Sequence, residues 1–211
     1  IHFLKNGLGT PGQNGIVPTA VPYFNVDNVS GFSYNLDSAR YYLDKSGVDV
    51  KKWNDLSLTV SVEHKALSEI LMKQWEENLE LSIAIDLADV KVYRSRAEQG
   101  AIALFRASWL GDYPDAESYL SLFYSRNFTP YGPNKSHFKS EEYDSLFRLS
   151  KTIFDPKQRA SIYERMDQLM INDSPVIVLF YDETLRLSQK KIEGLDVNAM
   201  NVLRLDKVRK N

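Results

Sequence analysis

Residues 56–105 read LSLTVSVEHKALSEILMKQWEENLELSIAIDLADVKVYRSRAEQGAIALF, and the spacing of their apolar side chains changes along the stretch. Leu56, Leu58, Val60 and Val62 alternate with polar residues, the period of two that predicts a half-buried strand. From Lys65 the spacing turns helical: Leu67, Ile70, Leu71, Trp75 and Leu79 share one face, and Lys73, Glu76 and Glu77 are left for solvent. Leu81, Ile83, Ile85 and Leu87 alternate again and predict a second strand. Asp89 to Gln99 reads as a polar helix stopped at Gly100, and the continuous apolar run Ala101 to Phe105 predicts a strand buried on both faces. Strand and helix alternating in this way predict an α/β fold, a mostly parallel, mixed sheet flanked by helices and joined by right-handed crossovers.

Working outward, Asp115 to Tyr124 and Glu141 to Ile153 read as helices separated by the turn-rich SRNFTPYGPNKSHF. Asp155, Pro156 and Gln158 place a cap, a first-turn proline and a capping-box partner ahead of an apolar face of Ile162, Met166, Leu169 and Met170. Pro175 to Tyr181 reads as a central strand. Toward the start, GLGTPGQNGIVPTAVPYFN (7–25) favours turns and predicts a long loop. Asp37 is expected to cap a short helix through Tyr41 to Lys45, with Ala39 and Leu43 on one face and Gly47 in the left-handed position that ends it.

Composition limits the function classes. At 211 residues with 43% apolar and 12% aromatic side chains, the chain can build a core for one large or two small domains. With 26 Lys and Arg against 28 Asp and Glu, the net charge of -2 provides no basic field for nucleic acid. No apolar run approaches the ~20 residues that span a bilayer, and IHFLKNGLGT lacks the basic start and apolar run of an export signal. The absence of cysteine excludes disulfides, thiolate metal sites and a lipid-bearing cysteine within these residues, and a start without Met suggests a fragment. His2, His64 and His137 are far apart and lack ligand spacing, so no metal site and no cofactor are expected. Neither a Gly-rich phosphate loop nor a G-x-S-x-G elbow is present, and no enzymatic activity is expected.

Directly after the expected buried strand comes Arg106-Ala107-Ser108-Trp109-Leu110-Gly111-Asp112-Tyr113-Pro114-Asp115. Open α/β sheets place ligands at the C-terminal ends of their strands. One reading is structural: Gly111 and Pro114 make a turn, Asp115 caps the next helix and Trp109 is core. The other is functional, since an aromatic wall, a loop carboxylate and a nearby basic group suit a zwitterion charged at each end. Asp112 and Asp115 as the acid and base of a glycosidase are excluded, because one short turn leaves no room for a sugar between them.

The string resembles the W-x-x-D-Y segment of the extracytoplasmic solute-binding proteins of family 5, which serve peptide, oligopeptide and nickel ABC transporters. In the peptide-binding members the aspartate meets the ligand's α-ammonium group. By position the resemblance gives that role to Asp112, with Trp109 and Tyr113 beside it and the backbone at Ser108 and Leu110 pairing with an extended peptide. A basic residue three before the tryptophan meets the ligand carboxylate in oligopeptide members, and Arg106 stands there. Arg96, in R-A-E-Q-G, resembles a second such arginine with one residue more to Trp109; its other reading is an exposed or structurally paired residue. The order of elements also agrees: Asp37, Ala39, Leu43 and Gly47 form a looser version of the family's D-x-x-x-A-x-x-L-L-x-x-A-G helix, and Asn78 to Leu81 stand at its turn. Arg159, Tyr163, Asp173 and Pro175 match its R-x-x-x-Y helix exit.

The resemblance implies a type II periplasmic-binding-protein-like lobe, residues 1–193 forming a ligand-binding C-terminal lobe and 194–211 the start of a return to an N-terminal lobe. It further implies an extracytoplasmic protein that captures short peptides by lobe closure and hands them to the membrane subunits of an ABC permease. Contact with the membrane would run only through an anchor outside these residues. Two alternatives stay open: another cargo such as an oligosaccharide, haem or a metal complex, the last opposed by the lack of His clusters, or the effector-sensing lobe of a transcriptional regulator.

Overall fold

The computed structural model describes residues 7–198 and 200–210. In chain order its elements are β1 (Thr10–Pro11), α1 (Leu36–Ser46), β2 (Ser57–Ser61), α2 (Lys65–Leu79), β3 (Ala84–Ala88), α3 (Val90–Glu98), β4 (Leu104–Phe105), α4 (Glu117–Leu120), α5 (Glu141–Ser150), α6 (Pro156–Asp173), β5 (Phe180–Tyr181), β6 (Ile192–Glu193) and β7 (Arg209–Lys210), with short 3-10 turns between them. Contacts divide the chain into two units. One holds the residues up to Phe32, Trp109–Asn127 and those from Ser136 onward; the other holds Ser33–Ser108 and Phe128–Lys135.

The second unit contains the alternating elements. Its sheet has the order β3-β2-β4, and both pairings are parallel, with Leu58 opposite Ile85 on one side and Leu104 on the other. Strand β2 is therefore central, which corrects the expectation of a half-buried strand: Thr59 and Ser61 are as buried as Leu58 and Val60. Leu58 and Val60 pack with Met72 and Ile83 on one face. On the opposite face the Thr59 hydroxyl donates to the Asp86 carboxylate at 3.1 Å, so the buried polar side chain keeps a partner.

Helix α2 follows the sequence closely. Met72 is buried, Leu67, Ile70, Leu71 and Trp75 are half-buried, and Lys73, Glu76 and Glu77 face solvent. Elsewhere the structure corrects the reading. The run Ala101 to Phe105 is not a strand buried on both faces: only Leu104–Phe105 pair, at the sheet's edge, where one neighbour leaves the other side open. Strand β3 starts at Ala84 and its Leu87 is exposed. The cap of α1 is Asn35, whose side chain accepts from the Ser38 amide at 2.9 Å. Asp37 sits in the first turn instead, where a carboxylate still suits the positive end of the helix. Gly47 ends α1 with φ 64°, and Ala39 and Leu43 form its half-buried face.

The core of the first unit is helical, but its opening segment supplies a share that the sequence did not reveal. Val17, Val21, Phe24 and Val29 are buried against Leu120, Tyr143, Met166 and Met170. The backbone of this segment is irregular, as expected of its Gly and Pro content, yet it is core. What fixes it is Asp167 of α6, whose carboxylate accepts the amides of Ile16 at 2.9 Å and Val17 at 3.2 Å. A Cβ at Gly15 would lie 2.0 Å from that carboxylate, so only glycine permits the approach.

Asp155 caps α6 through the Lys157 and Gln158 amides, as its sequence predicts. The expected helix Asp115 to Tyr124 is α4 continued by a 3-10 turn, Ser121–Phe123, and α5 stops at Ser150 rather than Ile153. Pro175 to Tyr181 is not a central strand. Only Phe180–Tyr181 pair, antiparallel to the two residues of β1, and Ile177 is exposed. One further contact continues the pairing, from the Gly12 amide to the Leu179 carbonyl at 3.1 Å. The chain closes with β7 antiparallel to β6.

Candidate functional site

Within the second unit, β4 delivers Arg106 one residue past its pairing with β2, where the Arg106 amide donates to the Thr59 carbonyl at 3.4 Å. The Arg106 carbonyl accepts the hydroxyl of Tyr93 from α3. Its guanidinium Nη1 lies 2.7 Å from His64 Nε2 and 3.2 Å from Ser108 Oγ. Burial raises the Tyr93 pKa above its ordinary value, while the Arg106 charge pulls it back in part. Nothing in the spacing of residues marks His64 as a neighbour of Arg106. The contact arises because β2 and β4 are parallel neighbours, so the residues beyond their C-terminal ends share one edge.

Arg96 is engaged inside the same unit. Its Nη1 lies 3.0 Å from Asp86 Oδ2, the oxygen that also accepts from Thr59. The pair borders a pocket of about 340 Å³ that includes Asp55, Thr59 and Ile102.

Within the first unit, the segment after β4 leaves Trp109, Leu110 and Tyr113 exposed, at 38%, 75% and 41%. Among the described residues, no hydrogen bond pairs the main-chain groups of Trp109 or Leu110, nor, at the end of the second unit, those of Ala107 or Ser108. The chain then turns sharply. The Asp112 amide donates to Ser118 Oγ at 2.9 Å, which ties the turn to α4. The Asp112 carboxylate itself is exposed and has no partner among the described residues.

Asp115, three residues on, is the opposite case. Its Oδ1 accepts the Glu117 amide at 2.9 Å and its Oδ2 pairs with Arg159, so it is committed to holding α4 and α6. Tyr113 stands near Glu117, which pairs with Lys151. Burial first, and then the neighbouring Glu117, raise the Tyr113 pKa far above that of an ordinary phenol. Tyr113 itself stays partly exposed. A second pocket of about 200 Å³ in this unit is bordered by Pro22, Tyr23, Pro114, Arg159 and Tyr163. Of the three histidines, His2 lies outside the described residues, and among the described residues no group of three or more His, Asp or Glu is placed to hold a metal ion.

Comparison with known proteins gives this geometry a context. The model of the bacterial extracellular solute-binding proteins, family 5 Middle, matches residues 1–130. The chain is 26% identical over 204 residues to the oligopeptide-binding protein OppA of Bacillus subtilis, covering 92% of this chain and 36% of the relative. It is 25% identical over 202 residues to heme-binding protein A of Haemophilus influenzae, covering 92% of this chain and 36% of that protein. The chain thus spans little more than a third of the length of these relatives. Among solved structures, the periplasmic binding protein DppA of Helicobacter pylori, in complex with the peptide STSA, superposes with a TM-score of 0.80 at 20% identity, covering 100% of this chain and 41% of the other. That likeness shows the type II periplasmic binding protein fold. With a family model matched over more than half its length, the chain belongs to the bacterial extracellular solute-binding proteins of family 5.

Proposed function

We propose that the full-length protein captures short peptides outside the cytoplasm, without altering them chemically, and passes them to the membrane subunits of an ABC importer. The observation that carries this reading is the Asp112 carboxylate, exposed and without a partner among the described residues, three residues after the exposed Trp109. Unpaired amides and carbonyls at Ser108 and Leu110 are what an extended peptide needs to add itself as a strand. A free carboxylate is what its ammonium end needs when it leaves water. In this reading Asp112 takes the ammonium group, Arg106 the carboxylate end, and Trp109 and Tyr113 flank the peptide. Arg96, whose Nη1 pairs with Asp86, is a further basic group of the second unit. Residues 1–193 then form a ligand-binding lobe that closes on the peptide, and 194–211 lead back toward a second lobe.

Asp112→Asn in the full-length protein removes the charge while keeping the shape. A charge-assisted hydrogen bond is worth about 1.5–3 kcal/mol, so trialanine affinity by calorimetry is expected to fall roughly tenfold to hundredfold. Unchanged affinity sinks the assignment. A haem cargo is the second reading, favoured by the similarity to a protein named for heme binding. The mass of whatever co-purifies with the full-length protein separates the two, since haem adds a visible absorption band and a peptide does not.

A further inference from the structure

We propose that Arg159 and Lys151 determine specificity at the Asp112 turn: by cancelling Asp115 and Glu117 they leave Asp112 as its single uncompensated carboxylate, which matches the turn to a peptide end carrying one positive charge and not two. This rests on the reading of Asp112 as the ammonium contact. It starts from the crowding of acids, since Asp112, Asp115 and Glu117 share one short stretch. The stretch is closed on itself. The Asp112 amide donates to Ser118 Oγ at 2.9 Å, the Asp115 amide to the Tyr113 carbonyl at 2.8 Å and the Ser118 amide to the Asp115 carbonyl at 3.1 Å. Three residues of chain reach at most about 11 Å when extended, so in a closed turn the Asp112 and Asp115 charges stand on the scale of a Debye length apart and each is felt at the other.

Two of the three acids are compensated. Asp115 Oδ2 pairs with Arg159 and Glu117 Oε1 with Lys151. Each base is also placed against a ring, Arg159 Cζ at 5.8 Å from the centre of Tyr163 and Lys151 Nζ at 5.0 Å from that of Phe147. The side chains of Arg159 and Asp115 are only 28% and 25% exposed, so water screens this pair less than it screens a surface pair. Lys151 follows α5, where the negative end of the helix favours a cation. Arg159 stands in the first turn of α6, where the positive end opposes one, so its place is secured by the acid of the ligand turn and not by its own helix. The charges of this pair act on Tyr163 with opposite sign: burial first, and then Asp115, raise its pKa to about 12, and Arg159 offsets part of the rise. Taking away Arg159 therefore uncovers a second carboxylate beside the first, and a ligand end with two positive charges gains the partner that it lacks in the parent.

The test is calorimetry on the full-length protein with two probes, trialanine and 2,3-diaminopropionyl-alanyl-alanine, at a pH where both amines of the second are protonated. The probes differ by one ammonium group on the first residue, and the ratio of their affinities is the readout. Arg159→Gln should move that ratio toward the diamine by roughly tenfold, the effect of one unit charge a few ångströms away at the edge of water. Arg159→Lys, which keeps the charge, should retain the ratio of the parent. Asp115→Asn, which leaves the Arg159 charge uncovered, should move the ratio away from the diamine. A turn that is merely loosened lowers both affinities alike and moves the ratio in neither direction. A ratio unmoved in Arg159→Gln, or moved the same way by Arg159→Gln and Asp115→Asn, overturns the proposal. If Arg159→Gln does not fold, Lys151→Gln takes its place, with a shift toward the diamine expected and no shift overturning the proposal. No trialanine binding in the parent sinks the peptide reading and this assignment with it, whereas trialanine binding with an unmoved ratio sinks this assignment alone.

Discussion

Three aspartates show how position decides what a carboxylate does. Asp112 is exposed and unpaired, Asp115 is spent on a helix start and an arginine, and Asp167 is buried with two main-chain amides. Burial pushes the Asp167 carboxyl up to about 6, and the Ile16 and Val17 amides hold it from rising further. A native pKa above the unfolded value means the folded state binds more protons between about pH 4 and 6. The stability contributed by protonated Asp167 is therefore complete below about pH 4 and is lost as pH rises through 6, a change on the order of 3 kcal/mol. Urea unfolding across that range should show the decline, and Asp167→Asn should flatten it; a slope that persists in the variant assigns the decline to another group. The sequence distinguished Asp115 as a cap but did not mark Asp167, because nothing local tells that the strap at Gly15 will lie against it.

At the scale of elements, the ends of helices were legible where the signal is local. Gly47 and Asp155 act as their neighbours in sequence predict, since a left-handed stop and a capped first turn need only the adjacent backbone. Strands were less legible. The apolar runs at Ala101 and Pro175 promised buried strands, yet each pairs over only two residues, because pairing is set by a partner distant in the chain and not by the run itself. Helix α2 ends on Glu80 with φ 58°, a conformation that disfavours a side chain with a Cβ. Glu80→Gly should therefore stabilise the second unit by about 0.5–1 kcal/mol, read as a higher denaturation midpoint with unchanged slope. No gain would mean that the exposed Glu80 side chain has a compensating role.

Over the whole molecule, the apolar residues gather into two clusters, one around Met166, Met170 and Tyr143 and one around Leu58, Val60 and Met72. Met166→Ala and Leu58→Ala should each cost about 2–5 kcal/mol through the cavity left behind. Hydrogen exchange should place the first loss in α5 and α6 and the second in β2 and β3; equal loss of protection in both units after either change would show one cooperative block. The sequence by itself determined the α/β alternation of the second unit, the stop of α1 at Gly47, the cap of α6 at Asp155 and the turn at Gly111, because periodicity and capping are properties of neighbours along the chain. Only the tertiary structure decided that β2 is central, that an irregular segment completes a core, and that His64 meets Arg106. Each of those depends on residues far apart in the chain being brought side by side, and the burial and charge they then share exist only after folding.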